Sequence, residues 1–193
     1  VLVIVGRTLY GQLSRLRASE YHDKATGLHI ERMSQYSAKI YDKLGFDVLA
    51  CENLKLAAML HDIGKITTPD SILKKPGSLT NEEFDVMKTH APVGFDILKE
   101  AESPLLQLAA NIAYCHHERW DGKGYPRGLK GDEIPLEARI VAVADVFDAL
   151  LSERCYKEGW PVEKTLDTIL QGAGTHFDPQ IVLVFFDCID ELL

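Results

Sequence analysis

Cysteine is scarce in this sequence and scattered along it. The four cysteines, Cys51, Cys115, Cys155 and Cys188, lie far apart with no CxxC spacing. No segment resembles a cleavable secretory signal, so a reducing cytoplasm is the expected compartment. Long apolar runs are missing too: the run over residues 1–5 is much too short to span a bilayer, and it reads at most as the tail of a longer helix. Positive charge is also short. Lys and Arg number 21 against 29 Asp and Glu, a formal charge of −8, which excludes sequence-independent binding of a nucleic-acid duplex, because that needs a broad basic surface. A small phosphorylated ligand is not excluded, since a few local cations suffice to hold one. Internal repeats, low-complexity tracts and any linker beyond residue 20 are absent.

What is present is an ordinary globular composition. The 193 residues are 46% apolar and 26% charged, enough to bury a core, and one domain is the default at this length. The first residue is valine, not methionine, and the chain reads as a piece cut from a longer polypeptide, with a processed product the alternative.

Almost every apolar run has helical rather than alternating spacing, so an all-α fold of about seven helices is expected. Leu9, Leu13 and Leu16 mark a linker helix over residues 1–20, leading in from a missing N-terminal region, ahead of a main domain over 21–193. A second helix carries His29, Met33 and Ile40 up to a break at Gly45. The stretch 47–61 forms the next, with Gly64 placed for a left-handed helix end. Thr80-Asn81-Glu82-Glu83 is a capping box opening a helix that reaches His90. Ser103-Pro104 opens another, running to His117. Further helices are expected over 135–151, 161–170 and 179–193, the last capped by Asp178 with Pro179 in its first turn. Between them, residues 118–135 fill with Gly, Pro, Asp and Lys and form a long loop directly after a histidine pair.

Of the seven histidines, five stand where metal binding is plausible chemistry: His29, His61 beside Asp62, His90, and the adjacent pair His116-His117. Neutral imidazole binds divalent transition metals, and a carboxylate can bridge two of them. Each residue alone has an ordinary reading as a core or surface histidine, or as a capping aspartate. Their grouping changes that. His61-Asp62-Ile63-Gly64-Lys65 adds a cation beside two ligand types, and His116-His117 precedes the glycine-rich loop.

These motifs resemble a known family. His61-Asp62 looks like the signature dipeptide of the HD phosphohydrolase superfamily, and Gly124-Tyr125-Pro126, eight residues after His116, resembles the motif that names its HD-GYP branch. Lys75-Pro76-Gly77, Leu79-Thr80, Ala144-Asp145-Val146-Phe147-Asp148-Ala149-Leu150 and Gly174-Thr175-His176-Phe177-Asp178-Pro179 read in the same way, so the similarity runs from about residue 24 to the end.

The resemblance implies a compact helical bundle of HD-domain type that hydrolyses the cyclic dinucleotide cyclic di-GMP to linear pGpG. It implies one metal ion held by His29, His61, Asp62 and Asp145, and a second by Asp62, His90, His116 and His117, with Asp62 shared. Iron or manganese is expected, with nickel and zinc as alternatives. Asp62 and Lys65 would be catalytic, Lys65 facing the reacting phosphate. Lys65, Arg154 and Lys157 would bind substrate. Expected partners are a GGDEF-domain protein docking through the Gly124-Tyr125-Pro126 loop, and an N-terminal sensor or receiver domain in the full-length chain. Two departures stand out. Cys155 replaces a usual proline, and Ala25 stands where relatives often carry a glutamate that helps bind a third metal, so two ions are expected. Other readings are the same chemistry on 3′,3′-cyclic GMP-AMP or on linear pGpG, and, from a different class, a catalytically weak module that binds nucleotide or partner and transmits a signal.

Overall fold

The computed structural model describes residues 24–152 and 159–193, with side chains from residue 27 onward. The linker helix expected over 1–20, and the segment that carries Arg154, Cys155 and Lys157, lie outside the described residues, as does the side chain of Ala25.

Among the described residues the fold is all-α. The helices are α1 (Lys24–Lys43), α2 (Val48–Ala58), the single turn α3 (Asp70–Leu73), α4 (Asn81–Lys88), α5 (His90–Leu98), α6 (Pro104–Cys115), α7 (Leu136–Leu151), α8 (Val162–Gln171) and α9 (Pro179–Asp187). None is long and apolar enough to cross a membrane.

Local sequence accounts for most helix ends. In α1, Ile30, Met33, Ser37 and Ile40 recur at helical spacing and are buried. Gly45 ends that helix with φ of +90°, and its N–H and that of Phe46 return to the carbonyls of Asp42 and Tyr41. Asp47 caps α2 by accepting from Ala50 N–H at 2.8 Å. Thr80 and Glu83 form the expected reciprocal capping box on α4. Asp178 caps α9 from the first turn, where Pro179 costs no hydrogen bond.

Three boundaries differ from the sequence reading. The stretch 47–61 is not one helix: α2 stops at Ala58, a turn carries His61 and Asp62, and a 3₁₀ segment, Ile63–Thr67, follows. Gly64 lies inside that segment without a positive φ. Its reason for being glycine is crowding, because a Cβ there would fall 2.0 Å from the His90 carbonyl oxygen. The helix expected to reach His90 ends at Lys88, and His90 opens α5 instead, with Pro92 tolerated in its first turn. The last helix ends at Asp187 and passes into a 3₁₀ turn, Ile189–Glu191. The separate α5 and the single turn α3 bring the helical segments above the expected number.

Helix α7 is the centre of the bundle. Ala138, Ile140, Val141, Val143, Ala144 and Phe147 are fully buried, and α7 packs against α1, α6, α8 and α9. Phe147 meets Phe185 edge to face at 4.9 Å. Such large side chains each contribute about 1.5–3 kcal/mol by leaving water. The consequence for function is rigidity: every element that carries a candidate ligand packs on this core.

Candidate metal centre

Five elements converge on one cluster. His29 comes from α1, His61 and Asp62 from the turn after α2, and His90 from the start of α5. His116 and His117 follow α6, and Asp145 lies in α7. The structure brings all seven together as two groups, His29 with His61 and Asp145, and Asp62 with His90, His116 and His117. Asp62 faces both. Its Oδ2 lies 3.3 Å from His61 Nε2, while its Oδ1 lies 3.3 Å from His90 Nε2 and 3.7 Å from His116 Nε2.

Backbone packing sets this closeness. The 3₁₀ segment after Asp62 presses on α5 at Gly64, where a Cβ would lie 2.0 Å from the His90 carbonyl oxygen and 2.6 Å from Gly94 N. A larger residue at Gly64 would push His90 away from Asp62.

The ring nitrogens can be assigned from their partners. His61 Nδ1 faces the Ala58 carbonyl at 2.9 Å, His90 Nδ1 the Met87 carbonyl at 2.7 Å, and His116 Nδ1 the carbonyls of Ile112 and Ala113 at 3.1 and 3.0 Å. A carbonyl only accepts, so each Nδ1 carries a proton, and in the neutral ring Nε2 is the atom left with a lone pair. The Nε2 atoms of His90 and His116 therefore point lone pairs at each other across 3.5 Å. Asp62 Oδ1 and His61 Nε2 are buried without a hydrogen-bond partner. Acceptors gathered in this way repel one another unless cations lie among them. Imidazole and carboxylate donors at this spacing fit divalent transition metal ions.

The electrostatics differ between the two groups. Burial works against charge on His29, but its hydrogen bonds to Asp145 and Asp148 outweigh that and raise it to about 9. Burial likewise opposes charge on His61, and neighbouring Asp62 and Asp145 raise it. On the other side burial lowers His90 to about 4 and His117 well below the ordinary histidine value, and His116 adds to both shifts. Asp62 is buried, which favours its neutral form, yet Lys65 and His61 hold it ionised far below the usual carboxylate range. Asp145 is held down in the same way by His29 and His61.

Lys65 sits one turn past Asp62, and its Nζ donates to Asp62 Oδ2. At 36% exposure its ammonium borders both the ligand cluster and solvent. Arg154 and Lys157 lie outside the described residues.

The loop over residues 118–135 is tied down at several points. Glu118 is buried, and its two oxygens accept the backbone N–H groups of Arg127 at 2.7 Å and Leu129 at 3.0 Å. Trp120 and Asp121 donate to the carbonyls of His176 and Thr175, and Tyr125 N–H donates to His117 O. Gly122, Gly128 and Gly131 take positive φ, while Gly124 is needed for close approach, a Cβ there falling 2.4 Å from Arg119 N. The Tyr125 ring then stacks on His117 at 4.7 Å.

Two residues of the site were missed by sequence reasoning. Glu118 directly follows the histidine pair, and that adjacency was its one signal. Asp148 lies a helical turn beyond Asp145, a spacing that places both carboxylates on one face of α7, and it contacts His29.

Comparison with known proteins identifies the family. The profile of the HD domain family matches residues 12–181. The chain is 49% identical over 182 residues to the "Cyclic di-GMP phosphodiesterase response regulator RpfG" of Xanthomonas campestris pv. campestris (strain 8004), covering 94% of this chain and 46% of that protein. It is 40% identical over 176 residues to the "3′3′-cGAMP-specific phosphodiesterase 2" of Vibrio cholerae serotype O1 (strain ATCC 39315 / El Tor Inaba N16961), covering 91% of this chain and 34% of that protein. The chain thus spans less than half the length of these curated relatives. Among solved structures it resembles Bd1817, an HD-GYP-type protein from Bdellovibrio bacteriovorus, with a TM-score of 0.67 and 24% identity over 84% of this chain and 51% of that one, a likeness of fold. The chain belongs to the HD domain family.

Proposed function

We propose that this chain is a metal-dependent phosphodiesterase that hydrolyses a cyclic dinucleotide, cyclic di-GMP, to linear pGpG. The observation that carries the reading is the pair of facing acceptor groups that share Asp62. One ion is assigned to His29, His61, Asp62 and Asp145, and a second to Asp62, His90, His116 and His117. Two such ions would supply an activated water and positive charge at phosphorus. Iron or manganese suits the imidazole and carboxylate donors, with nickel or zinc as alternatives. Ala25 offers no ligand for a third.

The protein's own groups do the remaining work. Asp62 is ionised and oriented by Lys65, and Lys65 at the border of cluster and solvent is placed to meet the reacting phosphate. Arg154 and Lys157 are assigned to the distal part of the nucleotide on the strength of the family resemblance. The chain's charge of −8 does not oppose an anionic substrate, because nearby cations govern binding within a cleft.

Relatives divide over the base. One 49% identical is named for cyclic di-GMP and one 40% identical for 3′3′-cGAMP, so cyclic GMP-AMP is the second reading, with linear pGpG a third. A catalytically weak binding module is disfavoured by the complete donor set and the retained Lys65. The pinned loop favours Gly124-Tyr125-Pro126 as a docking surface for a GGDEF-domain protein over a moving lid. The longer relatives support an N-terminal sensor or receiver domain ahead of a unit over 21–193, and the substrate class supports a cytoplasmic location. The test is turnover of cyclic di-GMP, cyclic GMP-AMP and pGpG by metal-loaded protein, with metal analysis alongside. Fastest cleavage of cyclic di-GMP, abolished by a chelator, supports the proposal; no cleavage of any of the three by metal-loaded protein overturns it.

A further inference from the structure

Four histidines of the cluster have their Nδ1 partner visible, and one is unlike the rest. His61, His90 and His116 turn Nδ1 to a carbonyl of their own preceding turn, within four residues in the chain. His29 turns Nδ1 to a carboxylate, Asp148 Oδ2, at 2.7 Å and across 119 residues. Asp148 is 1% exposed and fully engaged. Arg32 donates to Oδ1 through Nε at 2.6 Å and to Oδ2 through Nη2 at 2.8 Å, and Ser152 Oγ donates to Oδ2 at 2.9 Å. Arg32 Nη2 also reaches Ser152 Oγ at 2.7 Å, which closes the network.

We infer that Asp148, held by Arg32 and Ser152, is the positioning residue of the His29 half of the metal centre. It holds the Nδ1–H side of His29 and leaves Nε2 facing Asp145, 3.1 Å away, and His61, the side on which an ion would lie. A helix alone does not fix this ring, because no carbonyl of α1 serves as its Nδ1 partner. A carboxylate behind an imidazole ligand also makes the opposite nitrogen a better donor, and losing such a partner weakens metal binding by about 10- to 100-fold. On the other side of the centre His90 and His116 have carbonyl partners, and neither touches Asp148. The network therefore acts on one ion and not on the other.

This inference rests on the assignment of His29 as a metal ligand. The experiment is a titration of metal-stripped full-length chain with Mn²⁺, free ion being read by electron paramagnetic resonance, for the unmodified protein, Asp148→Asn, Asp148→Ala and Arg32→Lys. Asp148→Asn keeps the shape and one acceptor, so it guards against a variant that fails to fold. Nitrogen-15 spectra of the histidine rings report the His29 tautomer in the proteins loaded with diamagnetic Zn²⁺. The expected result is one Mn²⁺ equivalent weakened about 10- to 100-fold in the Asp148 variants, the other unchanged, with loss of the single Nδ1–H form of His29. Equal weakening of both equivalents, or none with the tautomer preserved, overturns the inference. Failure of the unmodified protein to bind Mn²⁺ would instead refute the metal assignment itself.

Discussion

Gly64 and the His90 carbonyl are packed so tightly that a Cβ on the glycine would lie 2.0 Å from that oxygen. This contact joins the turn that carries His61 and Asp62 to the helix that opens with His90, so a packing requirement of the backbone holds two halves of the ligand set together. Gly64→Ala is expected to cost about 3 kcal/mol or more and to lower bound metal by moving His90 off Asp62. Gly27→Ala is the control: nothing lies within 4 Å of a Cβ there, in an α1 position with ordinary φ, and the change should stabilise by about 0.5–1 kcal/mol. Urea unfolding and metal analysis of both variants check the pair.

Removing Asp62 tests the shared carboxylate. Asp62→Ala is expected to abolish hydrolysis and to reduce the metal content from about two ions to one or fewer. Near wild-type turnover by metal-depleted Asp62→Ala would sink the two-ion mechanism. Finding three well-occupied ions in the unmodified protein would show that other groups replace the missing glutamate at Ala25, whereas Ala25→Glu should add an ion.

The loop depends on one buried carboxylate. Glu118→Ala strands the N–H groups of Arg127 and Leu129, at about 1–3 kcal/mol for each amide left unpaired and buried, and hydrogen exchange at those two amides should accelerate most. Replacing Tyr125-Pro126 by Ala-Ala should leave metal content unchanged and alter turnover or partner binding. If neither changes, the loop is a connector.

Lys65 and Arg154 should separate kinetically. A group acting on the reacting phosphate lowers kcat when removed, and one holding the distal nucleotide raises KM. Lys65→Ala is expected to do the first and Arg154→Ala the second, by roughly ten- to a hundredfold for a lost contact of about 1.5–3 kcal/mol. Steady-state kinetics at fixed salt on all three dinucleotides measures this, and an unchanged KM in Arg154→Ala refutes its binding role.

His176 supplies a pH test away from the ligands. Burial, helped by Arg119, lowers it below the ordinary histidine value. The unfolded chain therefore takes up a proton before the folded one does, so the contribution is neutral at high pH and destabilising as pH falls below about 6.5. His176→Gln should flatten the fall in melting temperature between roughly pH 7 and 5. A slope identical to that of the unmodified protein would show that His176 stays accessible to solvent.

Much of this protein was legible before any coordinates. Helix caps such as Thr80 with Glu83, and Asp178 with Gln180, are satisfied within three residues, so neighbouring letters suffice to read them. The seven candidate ligands were legible because imidazole and carboxylate in family-like motifs point to one chemistry. Gly64 was read as a glycine for the wrong reason: a left-handed turn is a local property, whereas contact with His90, twenty-six residues on, is not. The same limit hid Asp148 and Glu118. A mid-helix aspartate and a glutamate at a loop edge have solvated surface roles by default, and only the packing of α7 on α1 brings Asp148 to His29, as only the closed loop brings two amides to Glu118. Sequence alone determined most of the helices, the family, the kind of donor and, through the resemblance, Asp62 as the shared carboxylate. Tertiary structure decided which ring nitrogen of His29, His61, His90 and His116 faces the centre and which carboxylate stands behind His29, because those depend on how the helices pack.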